Sequence, residues 1–455
     1  MAAAAAGDAT TTAAGDTMKC VHCSALGGDI DEVLTMADAP KPSADLVKGG
    51  KVMIVKVEAC SLSRGDSMML QGSCDLMMNP KLPFIPGMDL CGVVEQVAEG
   101  SQKFKVGDRI MATNGMMPTG GFAEYAAVQA KWCGKAPSNV SPTEAAAFPN
   151  SSAAAVDAVQ SAKVKEGDRV MVLGGSGGVA SSLLQLVKDA KASFLATTST
   201  ARELCLSLGA DEVIDYRETD WCEDERFKAE PFDVLIDCVG ARDEWKEAHR
   251  KGVLKSGWNG GRFISVGMDD PQIHTVWQVA KMIVPELWRC GWTCINRLRP
   301  RYKMVVSEPV GKDLDELAAL VEAGRLKAVL DPASPFPFTA DGVKAAFKLQ
   351  ASKHAHGKVV VTMRERERER GERAKEDRCC DNFVQRATDC PKNRFCARYI
   401  QLGRCFVCTV RVVHGGRRRI LTFLFSLFSS RWVVHTEGIG HGSVLGCRVE
   451  EQARV

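Results

Sequence analysis

The chain contains no apolar run long enough to span a bilayer and no strong excess of charge of either sign. Its 455 residues carry 59 Lys and Arg against 56 Asp and Glu, a formal net charge of +3. The part from Arg364 onward holds 19 basic and 11 acidic residues, which leaves 40 basic and 45 acidic residues before it. A mildly acidic body argues against a nucleic-acid-binding surface. We therefore expect neither nucleic-acid binding nor stable membrane insertion.

Targeting signals and paired metal-binding cysteines are also missing. The first residues, MAAAAAGDAT, lack both the apolar core of a secretory signal peptide and the arginines of a mitochondrial presequence. The 18 cysteines are scattered, and no C-x-x-C stands near a second one as zinc sites require. The sequence therefore predicts a cytoplasmic protein with reduced thiols.

The most informative segment that is present runs through residues 170–188. An apolar strand pattern at 170–173 enters a glycine cluster, which opens directly into a helical pattern and then a second strand at 193–198. Gly175 is expected to permit the turn, Gly177 to admit a pyrophosphate and Ala180 to let the helix pack on its strand. Free amides at the helix start would face the phosphates. An ordinary glycine-rich turn is the alternative, but the strand–turn–helix–strand context favours dinucleotide binding. The expected contacts are Gly175, Ser176, Gly177, Gly178 and Val179.

The periodicity divides the chain into parts. Residues 1–17 are rich in alanine and threonine and are predicted to be disordered. Residues 18–150 show short strands and turns typical of a β domain. In 151–324 strands alternate with helices, which predicts an α/β fold with a doubly wound parallel Rossmann sheet. Residues 325–363 return to the β domain. The Cys- and Arg-rich segment 364–455 is predicted to be disordered.

Several motifs resemble those of the medium-chain dehydrogenase/reductase superfamily, in its zinc-free quinone oxidoreductase or enoyl reductase branch. The motifs are PGMD at 86–89, GDR at 107–109, GFAEY at 121–125, EAAAFP at 144–149, GSGGVA at 175–180, LGADEVIDY at 208–216 and HAHGK at 354–358. Within that branch, Tyr302 followed by LDELAALVEAG at 314–324 resembles the reticulon-interacting mitochondrial oxidoreductases. The resemblance implies a GroES-like β domain beside the Rossmann domain, and by analogy it makes a mitochondrial location the alternative to the cytoplasm.

Zinc enzymes of this superfamily place a cysteine and a histidine where this chain has Ser63 and Met88. A catalytic zinc needs about three protein ligands drawn from thiolate, imidazole and carboxylate. The hydroxyl of Ser63 and the thioether of Met88 provide neither a thiolate nor an imidazole ligand. We therefore predict an enzyme without a metal.

The end of the second Rossmann strand indicates which nicotinamide is bound. NAD-specific sites carry an acidic residue there that binds the ribose hydroxyls, whereas this strand runs into Ser199 and Arg202. A guanidinium suits a 2′-phosphate. The resemblance adds Tyr216 to this site. The alternative is that Arg202 and Glu203 only solvate a helix start, and we favour NADPH.

Further contacts are expected where strands end at the ligand-binding edge of the sheet, at Val239, Gly240, Val266 and Gly267. The resemblance places His354 and His356 near the phosphates, although a histidine near a domain end is often only exposed.

The expected reaction is hydride transfer from NADPH to a quinone or an α,β-unsaturated carbonyl, with the protein supplying orientation. Related enzymes carry a tyrosine near 66–69 that protonates the product, and this chain has none there. The catalytic residues therefore remain unassigned. Two rival hypotheses are an NADPH-binding interaction protein with little turnover and a zinc alcohol dehydrogenase. The expected partner is the small substrate, and a homodimer is left open.

Overall fold

The computed structural model describes residues 17–73, 80–98, 102–114, 118–240, 243–266, 274–296 and 298–363, together with four strands between 396 and 437. The chain divides into two compact units, Met1–Glu365 and Arg366–Val455.

The first unit begins with a β-rich domain. Its elements are β1 (Thr17–Cys23), α1 (Ile30–Val33), β2 (Leu34–Pro40), β3 (Val52–Leu62), α2 (Arg64–Leu70), β4 (Asp89–Gln96), β5 (Arg109–Ala112), β6 (Tyr125–Gln129), β7 (Cys133–Lys135) and α3 (Pro142–Ala146). Strands β1 and β2 form an antiparallel pair, and β3, β4, β5 and β7 lie side by side in a larger sheet. Residues 52–56 of β3 also pair with β6, so β3 has hydrogen-bonded partners in both β4 and β6.

The second domain alternates strands and helices. Its elements are α4 (Pro149–Ala162), β8 (Arg169–Leu173), α5 (Ala180–Asp189), β9 (Phe194–Thr198), α6 (Arg202–Ser207), β10 (Glu212–Ile214), α7 (Glu225–Ala229), β11 (Val234–Asp237), α8 (Glu244–Arg250), β12 (Arg262–Ser265), α9 (Val276–Ile295) and β13 (Arg301–Met304). The six strands are parallel in the order β10-β9-β8-β11-β12-β13. The order reverses between β8 and β11, where a doubly wound sheet binds its ligand.

Alternate residues of β8 are buried against the two opposite faces of the sheet. Val170 and Val172 belong to one buried cluster, with Leu183 of α5, and Met171 and Leu173 belong to another. A strand buried on both sides reads as a continuous apolar run, which is the pattern that predicted it. The predicted α/β class with a Rossmann sheet is confirmed.

The chain then returns to the first domain through α10 (Gly311–Glu322), β14 (Phe336–Pro337), α11 (Ala340–Ala351) and β15 (Val359–Thr362). Strand β15 pairs antiparallel with β3, and β14 pairs parallel with β15. The β-rich domain is thus built from both ends of the first unit, and its last strand passes beside the Rossmann domain.

The second unit corrects one prediction. We expected disorder throughout 364–455, but the structure has an antiparallel four-stranded sheet formed by β16 (Cys396–Leu402), β17 (Cys405–His414), β18 (Arg417–Ser426) and β19 (Val433–Glu437). These segments are rich in Val, Ile, Phe and Thr, which favour extended backbone. Basic residues interrupt the apolar pattern, which is why the sequence showed no clear period. Among the described residues, no helix combines the length and hydrophobicity needed to cross a membrane.

Candidate active site

The glycine loop between β8 and α5 is tied to the end of β9. The Gly174 amide donates to Thr198 Oγ1 at 3.0 Å, and the Gly175 amide donates to the Thr198 carbonyl at 2.9 Å. Gly174 has a φ of +81°, which glycine adopts without strain. The left-handed residue of the turn is therefore Gly174, directly before Gly175, and the role of Gly175 in the turn stays a prediction.

The next two glycines serve different purposes. A Cβ on Gly175 would lie 2.2 Å from Thr197 Oγ1, so this residue must be small for the loop to pack on β9. A Cβ on Gly177 would meet only the Gly174 carbonyl, at 3.4 Å. A methyl group at Gly177, just before α5, would therefore make one ordinary van der Waals contact, and Ala180 at the helix start is fully buried. This arrangement fits a pyrophosphate lying against the loop.

The end of β9 brings the predicted ribose-side residues to this loop. Ser199 is buried, and its hydroxyl donates to Ser176 Oγ at 2.9 Å. The Arg202 guanidinium is exposed and donates through Nη1 to the Val213 carbonyl at 2.7 Å. Tyr216 is exposed two residues after β10, the strand that neighbours β9. Hydroxyl, guanidinium and phenol therefore share one edge of the sheet.

Across the switch point, β11 ends in a buried aspartate that fixes the following turn. Asp237 Oδ1 accepts hydrogen bonds from the Val239 amide at 2.8 Å and the Gly240 amide at 3.0 Å. Val239 projects toward the glycine loop, since its Cγ2 would stand 2.9 Å from a Cβ on Gly174. The Val266 amide donates to the Asp237 carbonyl at 2.8 Å. The remaining predicted residue of this group, Gly267, lies outside the described residues.

The returning segment before β15 lies directly on the glycine loop. The Gly357 amide donates to the Ser176 carbonyl at 2.7 Å, and Gly357 forms a parallel bridge with Gly177. The amide of His356 donates to Asp331 Oδ2 at 2.8 Å. His356 is half-buried beside the loop, whereas His354 is exposed. The structure therefore brings the backbone of His356 to the predicted phosphate end.

Lys358 connects this loop to the first domain. Its side chain is buried, with Cδ only 2.9 Å from where a Cβ on Gly178 would stand. Its ammonium donates to the Leu62 carbonyl at 2.8 Å and to Asp89 Oδ2 at 3.3 Å. A buried carboxylate is stable only when it is paired and hydrogen-bonded, so Lys358 is the cation that allows Asp89 to lie there.

A second carboxyl group lies in the same cluster. Asp66 is buried in α2, and its Oδ2 accepts from the Ser63 amide at 2.8 Å and from Ser63 Oγ at 3.1 Å. The Ser63 hydroxyl is also 3.3 Å from Met88 Sδ. The two residues that replace zinc ligands of the superfamily are thus in contact with each other and with a buried carboxyl group.

Burial dominates the titration of this cluster. The pKa of Asp66 is raised to about 7, because burial, the largest effect, and the neighbouring Asp89 raise it by more than the Ser63 hydrogen bonds and the Lys358 ammonium lower it. Burial also raises the pKa of Asp89, against the lowering effect of Lys358. The thiol of Cys60, which lies beside both aspartates, has its pKa raised by burial as well. The cluster therefore holds a proton close to neutral pH.

The donor set here is unsuited to zinc. Across the described part of the chain, no group of three or more His, Cys, Asp and Glu side chains could hold a metal ion. Ser63 and Met88 offer a hydroxyl and a thioether where zinc prefers thiolate, imidazole or carboxylate. Freedom from metal stays a prediction for direct measurement.

Sequence reasoning missed Asp237, Lys358 and the buried state of Asp66. Two signals in the sequence could have identified them. Asp237 is a carboxylate at the carboxyl end of a buried strand, and Lys358 is a lysine directly before the apolar run 359–361. No local signal pairs Lys358 with Asp89, because 269 residues separate them.

Two families match parts of the chain. Residues 49–138 match the family described as alcohol dehydrogenase GroES-like domain, and residues 208–361 match that described as zinc-binding dehydrogenase.

The NADPH-dependent alkenal/one oxidoreductase of Arabidopsis thaliana chloroplasts is 30% identical over 68% of this chain and 71% of its own length. The 2-methylene-furan-3-one reductase of Solanum lycopersicum is 32% identical over the same shares. The mitochondrial NAD(P)H oxidoreductase RTN4IP1 of Homo sapiens is 28% identical over 68% of this chain and 81% of its own length.

Solved structures share the fold. The quinone oxidoreductase of Coxiella burnetii superposes with a TM-score of 0.60 at 24% identity, covering 77% of this chain and all of that one. A thermostable alcohol dehydrogenase of Pyrobaculum aerophilum gives 0.58 at 23% identity, covering 76% of this chain and all of that one. At these identities the likeness establishes the fold.

The raised pKa of Asp66 predicts a pH-dependent stability. Between about pH 4, where a free aspartate titrates, and about pH 7, the folded chain binds one more proton at this site than the unfolded chain. The contribution of Asp66 to stability is therefore complete below that window and decreases as the pH rises through it, by at most about 1.4 kcal/mol per pH unit. Asp66→Asn, which keeps an oxygen acceptor for Ser63, should flatten this dependence.

The measurement is urea unfolding at about pH 5 and about pH 7. Asp341→Asn, an exposed substitution in α11, is the control and should leave the wild-type slope unchanged. Equal slopes in Asp66→Asn and the wild type would show that Asp66 is ionised throughout.

Proposed function

The chain belongs to the medium-chain dehydrogenase/reductase superfamily, and from this we propose that it is an NADPH-dependent oxidoreductase that reduces a quinone or an α,β-unsaturated carbonyl. Relatives named as NADPH-dependent alkenal/one oxidoreductase, 2-methylene-furan-3-one reductase and quinone oxidoreductase support the acceptor class. The observation that carries the proposal is the glycine loop at the switch point of the sheet, in which a Cβ on Gly177 would meet only the Gly174 carbonyl.

Each side of the loop has a role in holding the cofactor. We assign the phosphates to Ser176, Gly177, Gly178 and Val179 at the start of α5, with the backbone of His356 beside them. Ser199, Arg202 and Tyr216 are assigned to the 2′-phosphate. Gly175 supports the loop by packing on Thr197, and Val239 and Gly240, fixed by Asp237, line the other side of the switch point with Val266.

NADPH, when bound, supplies the hydride, and the chain supplies orientation, exclusion of water and a proton. Reduction of a quinone or an enone also consumes a proton. The Ser63 hydroxyl, which donates to Asp66 Oδ2, carries an exchangeable proton within the buried cluster of Asp66, Asp89 and Lys358. With the pKa of Asp66 at about 7, that carboxyl group is partly protonated at neutral pH, so it can restore a proton to Ser63. We assign Ser63 and Asp66 this role.

Three aspects of the sequence prediction remain proposals: freedom from metal, location and oligomeric state. The relatives' names include both chloroplastic and mitochondrial proteins, so the predicted cytoplasmic location is open to direct test by fractionation.

The function predicts a specific pattern of turnover. Purified chain should oxidise NADPH in the presence of a soluble quinone or an enone, and a zinc chelator should leave the rate unchanged. The measurement is the loss of NADPH absorbance across a series of acceptors. NADPH-dependent thermal stabilisation with no turnover of any acceptor would instead support an interaction protein, and loss of activity on chelation would support a zinc dehydrogenase.

The two loop glycines give a matched pair of variants. Gly177→Ala adds a methyl group that would contact only the Gly174 carbonyl, at 3.4 Å. The stability of the cofactor-free chain should therefore change by less than about 0.5 kcal/mol, whereas NADPH affinity should fall by about tenfold or more. Gly175→Ala drives a methyl group into Thr197 and should destabilise the fold by about 1–3 kcal/mol. Thermal melts and NADPH titrations separate the two effects. If Gly177→Ala bound NADPH as tightly as the wild type, the assignment of the pyrophosphate to this loop would be contradicted.

Cofactor preference is tested at Arg202. A charge-assisted hydrogen bond contributes about 1.5–3 kcal/mol, so Arg202→Ala should weaken NADPH binding by about 10- to 100-fold and leave NADH binding nearly unchanged. Arg217→Ala is the control, because its exposed guanidinium is already paired with Asp215 at 2.5 Å. Parallel losses of NADPH and NADH affinity would contradict the assignment of Arg202 to the 2′-phosphate.

A further inference from the structure

Helix α9 turns a polar face toward the protein. Arg289 donates to Asp243 Oδ2 at 2.7 Å and to Glu286 Oε1 at 3.1 Å, and the Tyr302 hydroxyl donates to Glu286. Thr293 is fully buried, and its Oγ1 accepts from the Tyr302 amide at 3.1 Å. A helix on the surface of a globular domain normally buries its apolar stripe and exposes its polar one. Here the polar side chains anchor α9 to β13 and α8.

The opposite side of the same helix is apolar and exposed. We define the α9 face by six residues whose exposed fractions range from 42% to 82%: Trp277, Val284, Leu287, Trp288, Trp292 and Ile295. Trp288 and Trp292 stack on each other with ring centroids 5.6 Å apart. The spacing of seven, four and four residues from Trp277 through Val284 and Trp288 to Trp292 keeps the side chains on one side of the helix. A contiguous exposed apolar surface of this kind marks a docking site.

Positive charge borders the α9 face. Residues 274–306 contain six Lys and Arg against a single acidic residue, Glu286. Two of the basic residues are exposed on this helix or directly after it: Lys281, whose Nζ lies 5.9 Å from the Trp277 ring centroid, and Arg299. Because Glu286 faces Arg289 and Tyr302 on the protein side, the exposed border is basic.

Helix α9 packs against both domains. Val279 of α9 packs against the buried cluster of the first domain that contains Leu62, Met68 and Met69, the neighbours of Ser63 and Asp66. Cys290, nearer the other end of the helix, packs against a cluster of the Rossmann domain. Helix α9 therefore bridges the two domains.

We propose that the α9 face docks on an anionic lipid surface, lying in the headgroup region without crossing it. Tryptophans prefer the boundary between water and hydrocarbon, and basic residues beside an apolar helix face are attracted to acidic headgroups. A second copy of the chain is a poorer match, because a two-fold contact through this face would bring two basic borders together. Because α9 packs against both domains, docking through this face would bring the junction of the two domains close to the lipid surface. This inference does not depend on which acceptor is reduced.

The test is sedimentation of the full chain with vesicles. Vesicles of phosphatidylcholine with about 30% phosphatidylserine should bind the wild type, and vesicles of phosphatidylcholine alone or high salt should weaken binding. Trp288→Ser/Trp292→Ser should reduce binding to the anionic vesicles by about tenfold or more. Lys281→Gln and Arg299→Gln should each reduce it about fivefold. Leu46→Ser/Val106→Ser removes two exposed apolar side chains elsewhere and should bind like the wild type.

Thermal melts and NADPH titrations of every variant establish that the fold and the cofactor site are intact. The proposal is overturned if the wild type does not bind anionic vesicles, or if the tryptophan variant binds them as well as the wild type. It is also overturned if the wild type is a dimer in solution that the tryptophan variant converts to a monomer with no difference in vesicle binding, since a second copy would then cover the α9 face.

Discussion

The buried ammonium of Lys358 is the interaction on which the rest of this structure depends. It stands at the start of β15, which belongs to the sheet of the first domain, while its alkyl chain lies against the glycine loop of the second. Its bonds to the Leu62 carbonyl and to Asp89 hold the end of β3 beside that loop. Removing one partner of such a buried pair leaves an uncompensated charge, which typically costs about 3–5 kcal/mol. One side chain thereby fixes the distance between the cofactor cradle and the buried carboxyl groups.

This arrangement suggests how a superfamily that includes zinc dehydrogenases can reduce its acceptors by another route. The positions of two zinc ligands are held by Ser63 and Met88, which contact each other. The charge in that region comes from Lys358, Asp66 and Asp89, all of them buried. A protonatable carboxyl group next to a serine can supply a proton, but it cannot polarise a carbonyl as strongly as a metal ion does. Acceptors that are already electron-poor, such as quinones and enones, suit such a site.

The sequence predicted those parts of the fold whose pattern is local. The apolar runs of β8, β9, β11 and β12 and the glycine loop were recognisable because each strand is buried on both faces. The pairing of Lys358 with Asp89 could not be predicted, since it joins residues far apart in the chain. Helix α9 was also missed, although its apolar residues recur at helical spacing; what its sequence could not show is that the apolar side faces outward. The strands of the second unit escaped prediction because basic residues interrupt their apolar runs.

The central claim is that the glycine loop, the end of β9 and the segment before β15 form one cofactor site. Hydrogen–deuterium exchange of the full chain with and without NADPH tests it most directly. If these segments form one site, NADPH should slow exchange at residues 176–182, 199–202 and 354–358 together, because ligand binding stabilises every element that it contacts. Bound NADPH that protects the glycine loop but leaves 354–358 unchanged, or that protects neither segment, would contradict the account.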